Sequence, residues 1–220
     1  MFKGILEETA DMIEKRGALV FKPAKWKIHE RKPKAPLAPY YFNLRAKDNP
    51  KPGPLLAKDC ELIVKCFFRL IRIFGLSFSA IAGIPRAGDP YLEAIKRITS
   101  EPRRFRIIPL DKAEKDEGRK IILKTDFKYR QGEVVLLLDN VIAQADTKVE
   151  AIQALRSAGC VVNDIITLID LEQGGRERIK EMDCRVFSVF VATDILNYYR
   201  SLGKITESKY QECMRYWVGP

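Results

Sequence analysis

Glu133-Val-Val-Leu-Leu-Leu-Asp-Asn-Val-Ile-Ala-Gln-Ala-Asp-Thr-Lys-Val-Glu-Ala-Ile152 opens on an apolar run, turns polar at Asp139 and Asn140, and then takes on helical spacing. The run predicts a strand over Glu133–Asp139 buried on both faces, as in a parallel sheet covered by helices. A loop from Asn140 to Asp146 leads into a helix over 147–158, closed by Gly159. The start of such a helix offers unpaired backbone N–H groups and a partial positive charge, which favour a phosphate. A carboxylate at the strand end can bind ribose hydroxyls or hold Mg²⁺ through water. The plainer reading has Asp139 accepting backbone hydrogen bonds and Asp146 as the N-cap, and the bare residues favour it.

Outward from this segment the chain alternates. Strands are expected at 79–82, 105–109, 161–170 and 185–191, with helices at 90–98 and 176–182 between them. Thr193 is expected to cap a helix running to Leu202, and Thr206 to start the last one. Strand–helix alternation from 79 to 191 implies right-handed crossovers and a mainly parallel sheet with helices on both faces, an α/β fold. Ligands in such sheets sit beyond the carboxyl ends of the strands. Upstream, Leu62, Ile63, Cys66, Phe67, Leu70 and Ile71 share one face of a helix over 58–74 that ends at Gly75. Phe2 to Ile13 form an amphipathic helix, 18–21 a short strand and Tyr40–Arg45 an aromatic strand. Seven of twelve prolines fall between 22 and 54, so the rest of that stretch is irregular or edge structure. The run 111–120 is charged throughout and reads as a mobile loop. A division follows: residues 1–57, a helix with a Pro/Lys-rich segment, and residues 58–220, the α/β core.

The 220 residues carry a net charge of +10, from 39 Lys and Arg against 29 Asp and Glu. Such a surface suits plain solvation or an anionic partner, nucleic acid or phosphorylated small molecule. The densest basic run is Lys22 to Lys34, with Trp26 inside it and no accompanying nucleic-acid motif. No apolar run reaches membrane-spanning length, and the acidic amphipathic start is unlike a secretory signal. Five scattered cysteines without a CxxC pair, and one histidine, His29, argue against a disulfide framework or structural zinc and for a reducing cytoplasm.

Five motifs in order resemble the type I phosphoribosyltransferases, with orotate phosphoribosyltransferase the nearer likeness over almost the whole chain. Pro39-Tyr-Tyr-Phe-Asn-Leu-Arg45 is similar to that family's substrate-side strand, and Ala82-Gly-Ile-Pro-Arg-Ala-Gly-Asp-Pro90 to its loop near the pyrophosphate. Lys112-Ala-Glu-Lys-Asp-Glu-Gly118 resembles its flexible catalytic loop, and Asp170-Leu-Glu-Gln-Gly-Gly175 its Asp-Arg-Glu-Gln-Gly-Gly turn. Asp139 to Thr147 resembles its phosphoribosyl-pyrophosphate (PRPP) loop, and the chain ends like the family with Thr193-Asp-Ile-Leu196 and Gly203-Lys-Ile-Thr206.

The resemblance implies transfer of a phosphoribosyl group from PRPP to orotate with Mg²⁺, in a homodimer whose catalytic loop reaches the partner's site. It assigns catalysis to Lys112, Lys115 and Asp139, and PRPP binding to Asp139, Asn140, Ala143, Ala145, Asp146, Thr147, Arg86 and Gly88. Tyr41, Phe42 and Leu171 fall to the base. The chain departs from the pattern in one direction. Asn140 replaces an acid, Ala143 and Ala145 replace Thr and Gly, and Asp146 adds negative charge. Ala87 replaces a Lys, Asp111 an Arg, Glu117 a His, and Leu171 the Arg that holds the orotate carboxylate. Each lost charge-assisted hydrogen bond is worth about 1.5–3 kcal/mol. Three readings are open: an orotate-type enzyme with impaired or altered activity, a non-catalytic relative binding a nucleotide or nucleic acid, and a transferase for another base.

Overall fold

The computed structural model describes residues 3–24, 34, 37–99, 105–115 and 118–218, with backbone alone at 114, 115, 118, 119, 217 and 218. Trp26, His29 and Lys32 lie outside the described residues, as does most of the basic run. Elements follow in the order α1 (Ile5–Lys15), β1 (Leu19–Val20), β2 (Tyr41–Phe42), α2 (Ala57–Ile73), β3 (Ala80–Gly83), α3 (Asp89–Ile98) and β4 (Arg106–Ile108). Then come β5 (Leu110–Lys115), β6 (Gly118–Leu123), β7 (Val134–Ile142), α4 (Asp146–Ser157) and β8 (Val161–Asp170). α5 (Gly175–Lys180), β9 (Arg185–Val191), α6 (Ala192–Ser201) and α7 (Glu207–Val218) complete the chain.

The apolar run becomes β7, the centre of a five-stranded parallel sheet ordered β4-β3-β7-β8-β9. Its side chains alternate between two cores. Leu136 and Leu138 face one, with α1, α2, α3, α6 and α7. Val135 and Leu137 face the other, with Ala151, Ile152 and Leu155 of α4 and Ile179 of α5. The first core also takes in Ala10, Ile13, Tyr40 and Phe42, so the N-terminal residues share it with the sheet. A bidentate pair from Arg16 to Asp59, at 2.7 and 3.0 Å, joins α1 to α2. All five cysteines are free and buried. Burial pushes the Cys60 thiol up to about 12 and Cys213 to about 11, which leaves them inert as nucleophiles.

The sheet and the long helices fall where the sequence puts them, and several local expectations need correction. The charged run 111–120 is no simple loop: β5 and β6 pair antiparallel from Leu110↔Leu123 to Lys115↔Gly118. Buried Leu110 and Ile121 anchor this hairpin to the second core, and the Ile121 N–H donates to Glu150 of α4 at 3.2 Å. The density of charge concealed a strand alternation that needs only one buried side. β7 runs on past Asp139 to Ile142, because Val141 and Ile142 still pair with Ile169 and Asp170 of β8. Ala145, with φ of 63°, is the N-cap of α4, and Asp146 is its first residue. α6 starts at Ala192, before Thr193, and Glu172 Oε2 accepts the Thr193 N–H at 3.0 Å, so the cap comes from a distant turn. The aromatic strand shrinks to Tyr41–Phe42, paired with β1. Thr206 does cap α7, accepting the Lys209 N–H at 3.2 Å.

The loop after β3 is threaded against β7. A Cβ on Gly88 would stand 2.5 Å from Leu138 O and 2.6 Å from Ile84 N, both backbone atoms. Gly88→Ala is therefore expected to cost about 1–3 kcal/mol, lowering the thermal midpoint by roughly 2–12 °C. Gly132→Ala, at φ +74° in open space, carries only the backbone strain of about 1–2 kcal/mol. A Gly88→Ala protein that unfolds at the wild-type midpoint would contradict the threading.

Candidate active site

β3 connects outward to β4, whereas β7 connects to β8 on the other side. Loops leaving their carboxyl ends therefore diverge and open a crevice at the switch point. A cavity of about 610 Å³ occupies it. Its floor is Asn140 and Val141 of β7, and one wall is Pro85, Arg86 and Ala87 after β3. Tyr41, Phe42, Leu44 and Arg45 form the opposite side, with Asn49 and Lys51 at the rim, and Lys112 reaches in from β5. Four cations, Arg45, Lys51, Arg86 and Lys112, line this space, and no acid among the described residues does.

Local bonding holds the walls. Arg86 sits at φ 73°, a left-handed conformation that strains a non-glycine residue. Its carbonyl accepts from Asn49 Nδ2 at 2.8 Å and its N–H donates to Asp89 Oδ2 at 2.8 Å, so both neighbours stabilise the bend. Burial raises the pKa of that Asp89 carboxyl, opposed by the Arg86 hydrogen bond. Asn49 Oδ1 in turn accepts the Lys51 N–H at 3.0 Å. On the far side the Arg45 guanidinium lies 5.8 Å from the Tyr41 ring centre. Phe42, 3% exposed, stacks edge-on against Tyr40 at 5.7 Å.

The segment from Asp139 to Thr147 keeps the helix-start geometry and fills it with its own charges. Asp139 is 2% exposed and lies under the cavity floor. Its Oδ1 accepts the Asn140 N–H at 2.8 Å and its Oδ2 pairs with Lys148 Nζ. Lys148, 5% exposed, also donates to Val141 O. Asp146 pairs with Arg178 of α5, which donates to Gln144 O at 3.0 Å as well. From the other side Gly175 backs the loop, since a Cβ there would lie 2.2 Å from Ala143 O. Ala143 packs on the first core and Ala145, 4% exposed, on the second. Thr147 is half-buried in the first turn of α4. Leu171 is fully buried in the first core, its N–H donating to Ile142 O at 2.8 Å.

Of the residues marked from sequence, Tyr41, Phe42, Arg86, Lys112 and Asn140 therefore meet in one cavity. Gly88 supports it, while Asp139, Ala145 and Leu171 are interior and Ala143 is half-buried. The Lys115 side chain and Glu117 lie outside what is described. Sequence reasoning did not single out Arg45, Asn49, Lys51, Lys148 or Arg178 as site residues. Lys148 carried a usable signal: a cation at the third helical position opposes the helix dipole and implies a local anion. The donors at the β7 end do not suit Mg²⁺. Asp139 has both oxygens engaged, Asn140 is neutral, and among the described residues no three His, Cys, Asp or Glu side chains cluster.

A family model described as uracil phosphoribosyltransferase matches residues 76–194. The orotate phosphoribosyltransferase of Nostoc sp. is 27% identical over 135 residues, 61% of this chain and 65% of that protein. Among solved structures, Leishmania donovani UMP synthase aligns at TM-score 0.76 and 23% identity, covering 99% of this chain and 43% of that one. Orotate phosphoribosyltransferase from Aeropyrum pernix aligns at TM-score 0.66 and 21% identity, covering 90% and 99%. The chain thus spans just under two thirds of the Nostoc relative and less than half of the UMP synthase. With the sheet order, the switch-point cavity and these matches together, the chain belongs to the type I phosphoribosyltransferase family, on the side of the orotate phosphoribosyltransferases.

Proposed function

We propose that the chain is an orotate-type phosphoribosyltransferase, forming orotidine 5′-monophosphate and pyrophosphate from PRPP and orotate. The observation that carries this is the cavity with four lining cations and, among the described residues, no lining acid. PRPP and orotate bring several negative charges to one place, and fixed cations in a crevice stabilise charge that moves onto a departing pyrophosphate. In this reading Arg86 and Lys112, which line the cavity, hold the pyrophosphate, and the Asn140 amide the ribose. The first turn of α4, with Thr147, takes the 5′-phosphate. Tyr41 and Phe42 flank the base. Arg45, stacked on Tyr41, takes the carboxylate that Leu171 cannot reach from the core. A homodimer in which Lys115 serves the partner's site belongs to the same proposal.

Arg86→Ala should lower kcat/KM for PRPP by about 10–150-fold, the worth of one charge-assisted hydrogen bond. Folded wild-type protein that leaves orotate absorbance unchanged in the presence of PRPP and Mg²⁺ would overturn the assignment. Arg45→Ala should raise KM for orotate and leave uracil, which lacks the carboxylate, unaffected; equal effects on both would remove Arg45 from that role.

A second reading, a non-catalytic relative that binds a nucleotide or nucleic acid, is favoured by one observation. The pairs Asp139–Lys148 and Asp146–Arg178 satisfy from within the loop that would receive PRPP. Under this reading a nucleotide raises the thermal midpoint without turnover, and RNA binding weakens steeply between 50 and 200 mM salt, a window in which about 6–10 phosphate contacts lose 10³–10⁵ in affinity. Turnover of PRPP and orotate excludes it.

A further inference from the structure

We propose that Lys148 is a built-in cation: its ammonium supplies at Asp139 the positive charge that a divalent metal would otherwise bring, so the end of β7 takes no metal ion. The proposal rests on the site read above as a phosphoribosyltransferase site, and its test does not depend on turnover.

Three observations carry it. First, the pair is interior, with Asp139 2% and Lys148 5% exposed. Nζ meets Asp139 Oδ2 and Val141 O, while Oδ1 holds the Asn140 N–H. A metal ion would have to displace the ammonium to bind at Oδ2, and Oδ1 already accepts the Asn140 N–H. Second, the charge closes. Asp139 is the one acid at the strand end, Asn140 is neutral, and Lys148 cancels Asp139. A divalent ion added there would face an ammonium in a low-dielectric interior instead of a cluster of carboxylates. Third, Lys148 occupies a place that is unfavourable for a lysine on every other count. The helix dipole repels a cation in the first turn of α4, and burial strips its hydration. The pairing with Asp139 is what offsets both.

The alternative occupants of this position do not fit as well. The half-buried Asp146 is already taken by Arg178, so the nearby carboxylate cannot rebuild a two-acid site without breaking a second pair. Among the described residues no group of three potential ligand side chains assembles.

The test uses Mn²⁺ as the probe, on the full chain without PRPP. Wild-type protein should show no saturable Mn²⁺ site by electron paramagnetic resonance, and its thermal midpoint should not move with Mn²⁺. Lys148→Met frees Asp139, and its midpoint should climb by about 5 °C once Mn²⁺ is well above the dissociation constant. Where Lys148→Met is unfolded on its own, folding on addition of Mn²⁺ is the supporting result. Asp139→Asn combined with Lys148→Met removes both charges and should fold without responding to Mn²⁺. A wild-type Mn²⁺ site that Asp139→Asn abolishes would overturn the proposal. So would a Lys148→Met protein whose folding ignores Mn²⁺ altogether. Absent turnover with these metal results intact would defeat the enzymatic reading and leave this one standing.

Discussion

β7 is buried on both faces, and this constraint propagates through the rest of the molecule. Its alternate side chains, Leu136 and Leu138 against Val135 and Leu137, nucleate two cores that recruit helices from opposite sides. A strand so enclosed has no solvent to receive its polar residues. When the chain turns polar at Asp139 while β7 continues to Ile142, the carboxylate must be satisfied inside the protein. Lys148, one turn into α4, does so. The strand that fixes the fold therefore also dictates the electrostatics of the loop that follows it.

The loop and the cavity above it are built on opposite electrostatic plans. In the loop each charge has a partner: Asp139 with Lys148, Asp146 with Arg178. Removing one member of a buried pair costs about 3–5 kcal/mol, although the intact pair adds little net stability. The second pair is part-exposed, Arg178 at 38% and Asp146 at 15%, and belongs nearer the range of 0–1 kcal/mol seen at surfaces. The cavity lining carries four cations from three separated parts of the chain and, among the described residues, no acid. The loop's charges are matched by α4 and α5; the cavity's lining suits something anionic.

Much of this was legible in the sequence, for identifiable reasons. The apolar run of β7, the helical stripe of α2 and the exact spans of β8 and β9 are periodic signals longer than their turns. The loop after β3 and the turn after β8 were legible through their resemblance to family motifs, and in the structure a Cβ at Gly88 or Gly175 would meet backbone atoms. What escaped depends on contacts between distant segments. Charges in 111–120 read as a loop because the pairing that makes β5 and β6 is completed only by Ile121 packing on α4. Thr193 read as a cap because Glu172, 21 residues earlier, leaves no local trace of its reach. Leu171 and Ala145 read as site residues from motif position, whereas their burial places them in the core. Arg45 and Lys51 sit in a Pro-rich stretch whose composition says loop and says nothing about which cavity the loop lines.

Cations converging on one crevice from separate elements also bear on how the site works. Arg45 and Lys51 precede α2, Arg86 follows β3, and Lys112 rides on the β5–β6 hairpin. Their mutual repulsion is screened over about 8 Å at physiological ionic strength. Under the proposed function, an anion bridging them converts that repulsion to attraction. The floor takes no part in this, because Asp139 and Lys148 already neutralise each other beneath it. Under the proposed function, affinity for a polyanion thus resides in the walls, above a floor whose charges are paired within the protein.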